Sequence, residues 1–154
     1  FCDFNISHSW PWAAIAFCRH GRCGVDVELQ EHLGDWQALI PLVCHENEQQ
    51  RMAQAGRPAH QFLRLWTAKE AVSKVLGLGL SLHFPSMETD MSTGSIRIDG
   101  RPAPVRFVHL ANSVEEGVVS VAWAGTPEKS FGCCVSQFNV TTGCVAHVGE
   151  HHVQ

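Results

Sequence analysis

Between residues 23 and 29 the chain alternates with a period of two. Val25, Val27 and Leu29 fall on one side and Asp26 and Glu28 on the other, as side chains do along a strand. The apolar stretch from Trp12 to Cys18 reads as another strand, and the Arg19 to Arg22 turn between the two predicts that they form a hairpin. Asp35 is placed to cap a helix over 36–43, and a second helical piece runs over 46–55 to Gly56. A longer helix follows. Pro58 suits its first turn, and Phe62, Leu65, Val72 and Leu76 recur on one apolar face. Glu70 and Lys74 share a different face with Trp66, and Gly77 and Gly79 end the helix. Ser95 to Ile98 and Val105 to Leu110 flank an Asp99-Gly100 turn, and 117–123 alternates Val118, Ser120 and Ala122 with Val119, Val121 and Trp123, so three more strands are expected. After Gly125 two β-like runs, 131–135 and 144–148, stand either side of a polar segment. These elements predict an α+β fold, one long helix packed on a small, mainly antiparallel sheet, with a domain over 1–125 and a β-like extension over 126–154.

Composition narrows the classes. The 154 residues are 45% hydrophobic and 17% charged, the profile of one globular domain with a core of its own. A net charge of −4 without a polybasic stripe argues against nucleic acid as a partner. No apolar run approaches the roughly 18 residues that span a bilayer, and the N-terminus has no basic, hydrophobic targeting segment, so no membrane partner is expected. Seven cysteines without a CxxC pair read as reduced thiols, which with the missing leader predicts a cytoplasmic protein. The chain starts with Phe1, which suggests part of a longer polypeptide.

The chemistry concentrates on few residues. Asp26 and Glu28 on one strand face, with Glu70 on a helix, form an oxygen-donor set of the kind that a hard divalent ion prefers, Mg²⁺ completing its shell with water and substrate phosphate. On spacing alone, a solvated strand face and a solvated helix face explain them equally well. Lys69 and Lys74 flank Glu70, and Lys74 lies one turn further along its face, where an ammonium suits phosphate oxygens or a plain surface ion pair worth about 0.3 to 0.5 kcal/mol. Asn5-Ile6-Ser7-His8-Ser9, just before a strand, has the composition of a phosphate anchor or of a turn. Gly77-Leu78-Gly79 reads better as a helix cap than as a phosphate loop. In the tail, Cys133, Cys134, Cys144, His147, His151 and His152 are zinc-type ligands, but their spacing matches no established zinc pattern, and apolar cysteines in strands are the better reading.

Three of these segments occur in register. Phe4-Asn5-Ile6-Ser7-His8-Ser9, then Gly24-Val25-Asp26-Val27-Glu28, then Trp66-Thr67-Ala68-Lys69-Glu70-Ala71-Val72-Ser73-Lys74 with Gly77-Leu78-Gly79-Leu80 resemble the 4'-phosphopantetheinyl transferases, in particular the surfactin-synthetase-activating type. Trp66 follows Asp26 by 40 residues, within the gap that the family pattern allows. The resemblance covers roughly residues 4 to 80.

It implies a phosphopantetheinyl-transferase-like fold and transfer of the phosphopantetheine arm of coenzyme A to a serine of an acyl or peptidyl carrier protein, releasing 3',5'-ADP. Asp26, Glu28 and Glu70 match the family's Mg²⁺ ligands, with Mn²⁺ as an alternative ion. Glu70 is the candidate base, with Glu28 as its rival. Lys74 matches the lysine that contacts the phosphates, and His8, with Ser7 beside it, the phosphate-binding histidine. Lys69 matches the motif lysine, in a phosphate or a structural role, and Trp66 is read as core packing. The sequence also departs from the family. Surfactin-type enzymes have two similar halves with the coenzyme A cleft between them, and this chain resembles the second. The expectation is a fragment, a pair of copies that rebuilds the cleft, or a trimer like the shorter holo-carrier-protein synthases. A non-catalytic half-transferase is the alternative. Trp10-Pro11-Trp12 also stands where the family often has a small residue.

Overall fold

The computed structural model describes residues 2–110, 114, 116–125, 131–139 and 144–153, without the side chains of residue 80 and of the last two stretches. Its strands are β1 (Asp3–Ser9), β2 (Trp12–Cys18), β3 (Arg22–Leu29), β4 (Met87–Asp90), β5 (Ser95–Ile98), β6 (Arg101–Leu110), β7 (Gly117–Ala124), β8 (Phe131–Asn139) and β9 (Cys144–Val153). Helices α1 (Trp36–Val43), α2 (Glu46–Ala53) and α3 (Pro58–Leu76) lie between β3 and β4. Every strand pair is antiparallel, in two sheets ordered β1-β2-β8-β9 and β3-β7-β6-β5-β4.

The five-stranded sheet is the middle layer. On one side α3 packs through Phe62, Leu65, Ala68, Val72 and Val75 against Met87, Ile96, Val105 and Phe107. On the other, Val25, Val27 and Leu29 of β3 meet Ala14, Ala16 and Cys18 of the first sheet. The expected α+β class and the apolar face of the long helix are present, and the sheet is joined by a second. The helix ends also follow the sequence. Asp35 Oδ1 accepts from Ala38 N, Pro58 occupies the first turn of α3, and Gly77 closes α3 at φ 71°, in the left-handed region that glycine adopts freely.

Two expectations change. β2 and β3 are not a hairpin, because they lie in different sheets, with β2 between β1 and β8 and β3 against β7. The reason is that β3 buries both faces, Val25, Val27 and Leu29 towards the other sheet and Gly24 and Asp26 towards α3, which a solvated two-stranded hairpin cannot supply. And the segment read as preceding a strand is itself β1, paired with β2 from Asp3↔Cys18 to Ser9↔Trp12. The zinc alternative falls on side chains outside the described residues.

Candidate active site

Several elements meet at Asp26. It points from β3 towards α3, with only 7% of its side chain exposed. Oδ1 accepts hydrogen bonds from Lys74 Nζ at 2.8 Å and Ser7 Oγ at 2.9 Å, while Oδ2 is buried without a partner. An orphaned buried oxygen is costly, and it leaves Oδ2 with the capacity to take a further partner. Gly24, two residues earlier on the same face, brings the helix this close. A Cβ there would stand 2.1 Å from the Ala71 carbonyl oxygen and 3.1 Å from Lys74 Cβ. Lys74 also donates to the Val25 carbonyl at 2.7 Å, which fixes its ammonium over the strand.

β3 is an edge strand of its sheet, and β1 satisfies that edge with side chains instead of its own backbone. Cys23 N donates to Asp3 Oδ2 at 2.8 Å, Val25 N to Asn5 Oδ1 at 3.0 Å and Val27 N to Ser7 Oγ at 3.3 Å. Ser9 continues the row, donating to Glu28 Oε2 at 3.0 Å, and its oxygen stands 2.9 Å from His32 Nδ1. Glu70 is half-buried on α3, four residues before Lys74 on the helix side that faces β3.

The electrostatics couple the three acids. Burial pushes the carboxyls of Asp26, Glu28 and Glu70 above their ordinary range, and the charge of Asp26 pushes Glu28 and Glu70 further. Lys74 and Ser7 pull Asp26 back down, and Ser9 does the same for Glu28. With all three ionised, the one ammonium of Lys74 leaves the group negative, and a divalent cation has the charge to balance it. Among the described residues no three such side chains already stand close enough to cage an ion. The donor chemistry fits Mg²⁺ all the same. The donors are carboxylate oxygens, one buried oxygen lacks a partner, and Mg²⁺ takes few protein ligands and keeps water.

The other sequence candidates go elsewhere. Lys69, next to Glu70, points into the core, fully buried, with Nζ donating to Glu48 Oε2 at 2.6 Å and close to the carbonyls of Val43, Phe84 and Met87 at 2.7, 3.1 and 2.8 Å. Of its two expected roles, these surroundings support the structural one. His8 is on the outer, exposed face of β1, opposite Ser7 and Ser9. Trp66 packs between Phe62 and Phe84, as read from the sequence. Sequence reasoning missed Asp3, Glu48 and His32. The polar row at positions 3, 5, 7 and 9 against Phe4 and Ile6 carried the signal for β1, whereas nothing local marks Glu48 or His32.

Comparison with known proteins gives the family. The profile of the 4'-phosphopantetheinyl transferase superfamily matches residues 22–122, more than half of the chain. The chain belongs to this superfamily. The superfamily match includes β3 and α3, hence Asp26, Glu28, Glu70 and Lys74, while Ser7 and His8 precede it. The 4'-phosphopantetheinyl transferase AcpT of Salmonella typhi is 36% identical over 77 residues, 48% of this chain and 40% of that protein. The 4'-phosphopantetheinyl transferase gsp of Aneurinibacillus migulanus is 33% identical over 90 residues, 56% of this chain and 36% of that one. The chain thus spans about two fifths of the length of these curated relatives. Among solved structures, holo-[acyl-carrier-protein] synthase from Neisseria meningitidis has the same fold at TM-score 0.53 and 20% identity, covering 69% of this chain and 98% of that one. That from Thermotoga maritima is similar at TM-score 0.50 and 19% identity, covering 69% and 64%. No helix among the described residues of this superfamily member is long and apolar enough to cross a membrane.

Proposed function

We propose that this chain carries the metal-binding part of a 4'-phosphopantetheinyl transferase, one that moves the phosphopantetheine arm of coenzyme A to a serine of an acyl or peptidyl carrier protein in the cytoplasm. The observation that carries the reading is the orphaned Asp26 Oδ2, buried beside Glu28 and Glu70 with Lys74 over it. Asp26, Glu28 and Glu70 are the residues that would hold Mg²⁺, or Mn²⁺ in its place. The ion, when bound, neutralises charge on the pyrophosphate oxygens.

The rest is the work of this chain's own side chains. The carrier serine oxygen forms a new bond to phosphorus, the pyrophosphate P–O bond breaks, and 3',5'-ADP leaves. Glu70, a half-buried carboxylate raised by burial, takes the serine proton on a carboxylate oxygen, with Glu28 as the alternative base. Lys74 offsets charge on the leaving group. Ser7 and Ser9 hold Asp26 and Glu28 in place. His8 is assigned to the phosphates on the family resemblance alone. Because phosphoryl-type transfer depends on positioning and charge, a site of fixed carboxylates and one lysine has the right parts. The finer assignment is the second half of a surfactin-synthetase-activating type enzyme, with the facing half supplied by further chain or by self-association as a dimer or trimer.

The test is intact-mass spectrometry of an apo carrier protein incubated with the chain, coenzyme A and Mg²⁺. A gain of one phosphopantetheine arm, lost without metal and lost in Glu70→Ala, is the expected result. No gain from the folded chain across several carriers rejects transfer by this length of chain and returns the non-catalytic half-transferase, which the intact carboxylate set does not favour.

A further inference from the structure

We propose that His32 is a positioning residue for Glu28, acting through the hydroxyl of Ser9. The inference rests on the reading of Glu28 as a cation ligand. Its basis is a chain of two short contacts, Glu28 Oε2 to Ser9 Oγ at 3.0 Å and Ser9 Oγ to His32 Nδ1 at 2.9 Å. The fold assembles this chain from three places. Glu28 is near the end of β3 and Ser9 is the last residue of β1, while His32 closes the 3-10 turn Gln30–His32 that follows β3. That turn is anchored by Gln30 N donating to the Glu116 carbonyl at 2.9 Å, which folds His32 back over the end of β1.

Counting donors fixes the direction. An ionised carboxylate only accepts, so the one hydroxyl proton of Ser9 goes to Glu28 Oε2. The Ser9 oxygen must then accept from His32, which therefore carries a proton on Nδ1. Its Nε2 faces outwards, 3.7 Å from Glu31 Oε1. Ser9 is buried and the imidazole is 41% exposed, so His32 is the solvent-side end of a line that leads inwards to the acid. Without the Nδ1–H donor the hydroxyl is free to rotate away, and Glu28 loses the contact that orients one of its oxygens. Outer partners of this kind typically change metal affinity by about 10- to 100-fold.

Asn and Gln separate this role from bulk or charge, because the Asn amide nitrogen takes the place of Nδ1 and that of Gln the place of Nε2. Mn²⁺ binding to the full chain, followed by electron paramagnetic resonance, is expected to weaken about 10- to 100-fold in His32→Gln and Ser9→Ala and to stay at the wild-type value in His32→Asn. A second readout needs no metal. Nitrogen-15 NMR of the wild-type protein at about pH 8 should place a proton on His32 Nδ1. Wild-type Mn²⁺ affinity in His32→Gln, or a neutral His32 with its proton on Nε2, overturns the positioning role and leaves the metal reading standing. A wild-type chain that binds no Mn²⁺ overturns both.

Discussion

Helix α3 carries two lysines five residues apart, each against a buried carboxylate, and the two pairs are built differently. Lys69 and Glu48, 2.6 Å apart, are both fully buried. Glu48 accepts from His45 N and Lys69 on Oε2 and from Thr89 N and Oγ1 on Oε1, while Lys69 has four oxygens within reach for its three protons. Nothing is left over. Lys74 and Asp26, 2.8 Å apart, are 25% and 7% exposed, and one Asp26 oxygen has no partner. The closed pair ties α2, α3 and β4 into one body, whereas the open pair leaves one carboxylate oxygen without a partner. Of the adjacent motif residues, Lys69 thus serves the core, and Glu70 lies on the side of the proposed site.

Breaking the closed pair should give the largest effect. Lys69→Met leaves Glu48 as an uncompensated buried charge, a situation that costs about 3 to 5 kcal/mol. Lys74→Met also strands a buried carboxylate, but one that Ser7 still hydrogen-bonds and that takes a proton more readily because burial raises its pKa, so the loss should be smaller. Urea unfolding of both variants checks the contrast, and equal losses would refute it.

Emptying the open pair should do the reverse. Asp26→Ala removes a carboxylate whose burial outweighs its contacts with Lys74 and Ser7, as its raised pKa shows, so thermal melting is expected to stay near the wild-type curve. Divalent cation affinity should fall by more than the roughly 100-fold that marks loss of an outer partner. Calorimetric titration with Mg²⁺ beside a melting curve decides it: a collapsed fold with unchanged binding per folded molecule would contradict the assignment.

The comparison also shows where the sequence could be read. Asp35, Pro58 and Gly77 act within a turn of where they stand, so the ends of α1 and α3 followed from local chemistry. The alternation of Val25, Asp26, Val27 and Glu28 is likewise local, and it placed two of the three acids on one face. What failed was long-range. Glu48 is 21 residues from Lys69, and Ser9 is 23 from His32, and no spacing rule reaches so far. β1 was missed because Asn5, Ser7 and Ser9 look like loop residues until β3 is seen to need their oxygens at its edge. β4, four residues long, was too short for its period to show.

Moving the open pair without altering its charges sharpens the comparison. Gly24→Ala puts a methyl group into the Ala71 carbonyl, so α3 must shift away from β3, with an overpacking cost of about 1 to 3 kcal/mol. The shift separates Lys74 from Asp26 but leaves Lys69 and Glu48 on the far side of the helix intact. Denaturant unfolding reads the cost. A crystal structure with the Lys74 to Asp26 distance still near 2.8 Å would show that the glycine does not set it.

A last contrast comes from a third polar group against α3, one with no formal charge. His109 on β6 lies with Nδ1 2.8 Å from Ser120 Oγ, which in turn is 2.7 Å from Thr67 Oγ1 on α3, and with Nε2 3.2 Å from Met91 Sδ. Burial, then the nearby charges of Arg64 and His60, push its pKa down to about 3. The unfolded chain binds a proton on this histidine below about pH 6.5 and the folded one does not until about pH 3, so stability drops as the pH falls through that window. For one proton the slope is at most about 1.4 kcal/mol per pH unit. The raised carboxyls of Asp26, Glu28 and Glu70 act in the opposite sense, because the folded state holds their protons more tightly and loses stability as the pH rises past about 4 to 5. The measurement is therefore a difference: unfolding free energy of wild type minus His109→Gln between pH 7 and pH 4.5. That difference should shrink as the pH falls, and a pH-independent difference would mean that His109 is protonated in the folded protein over the same range.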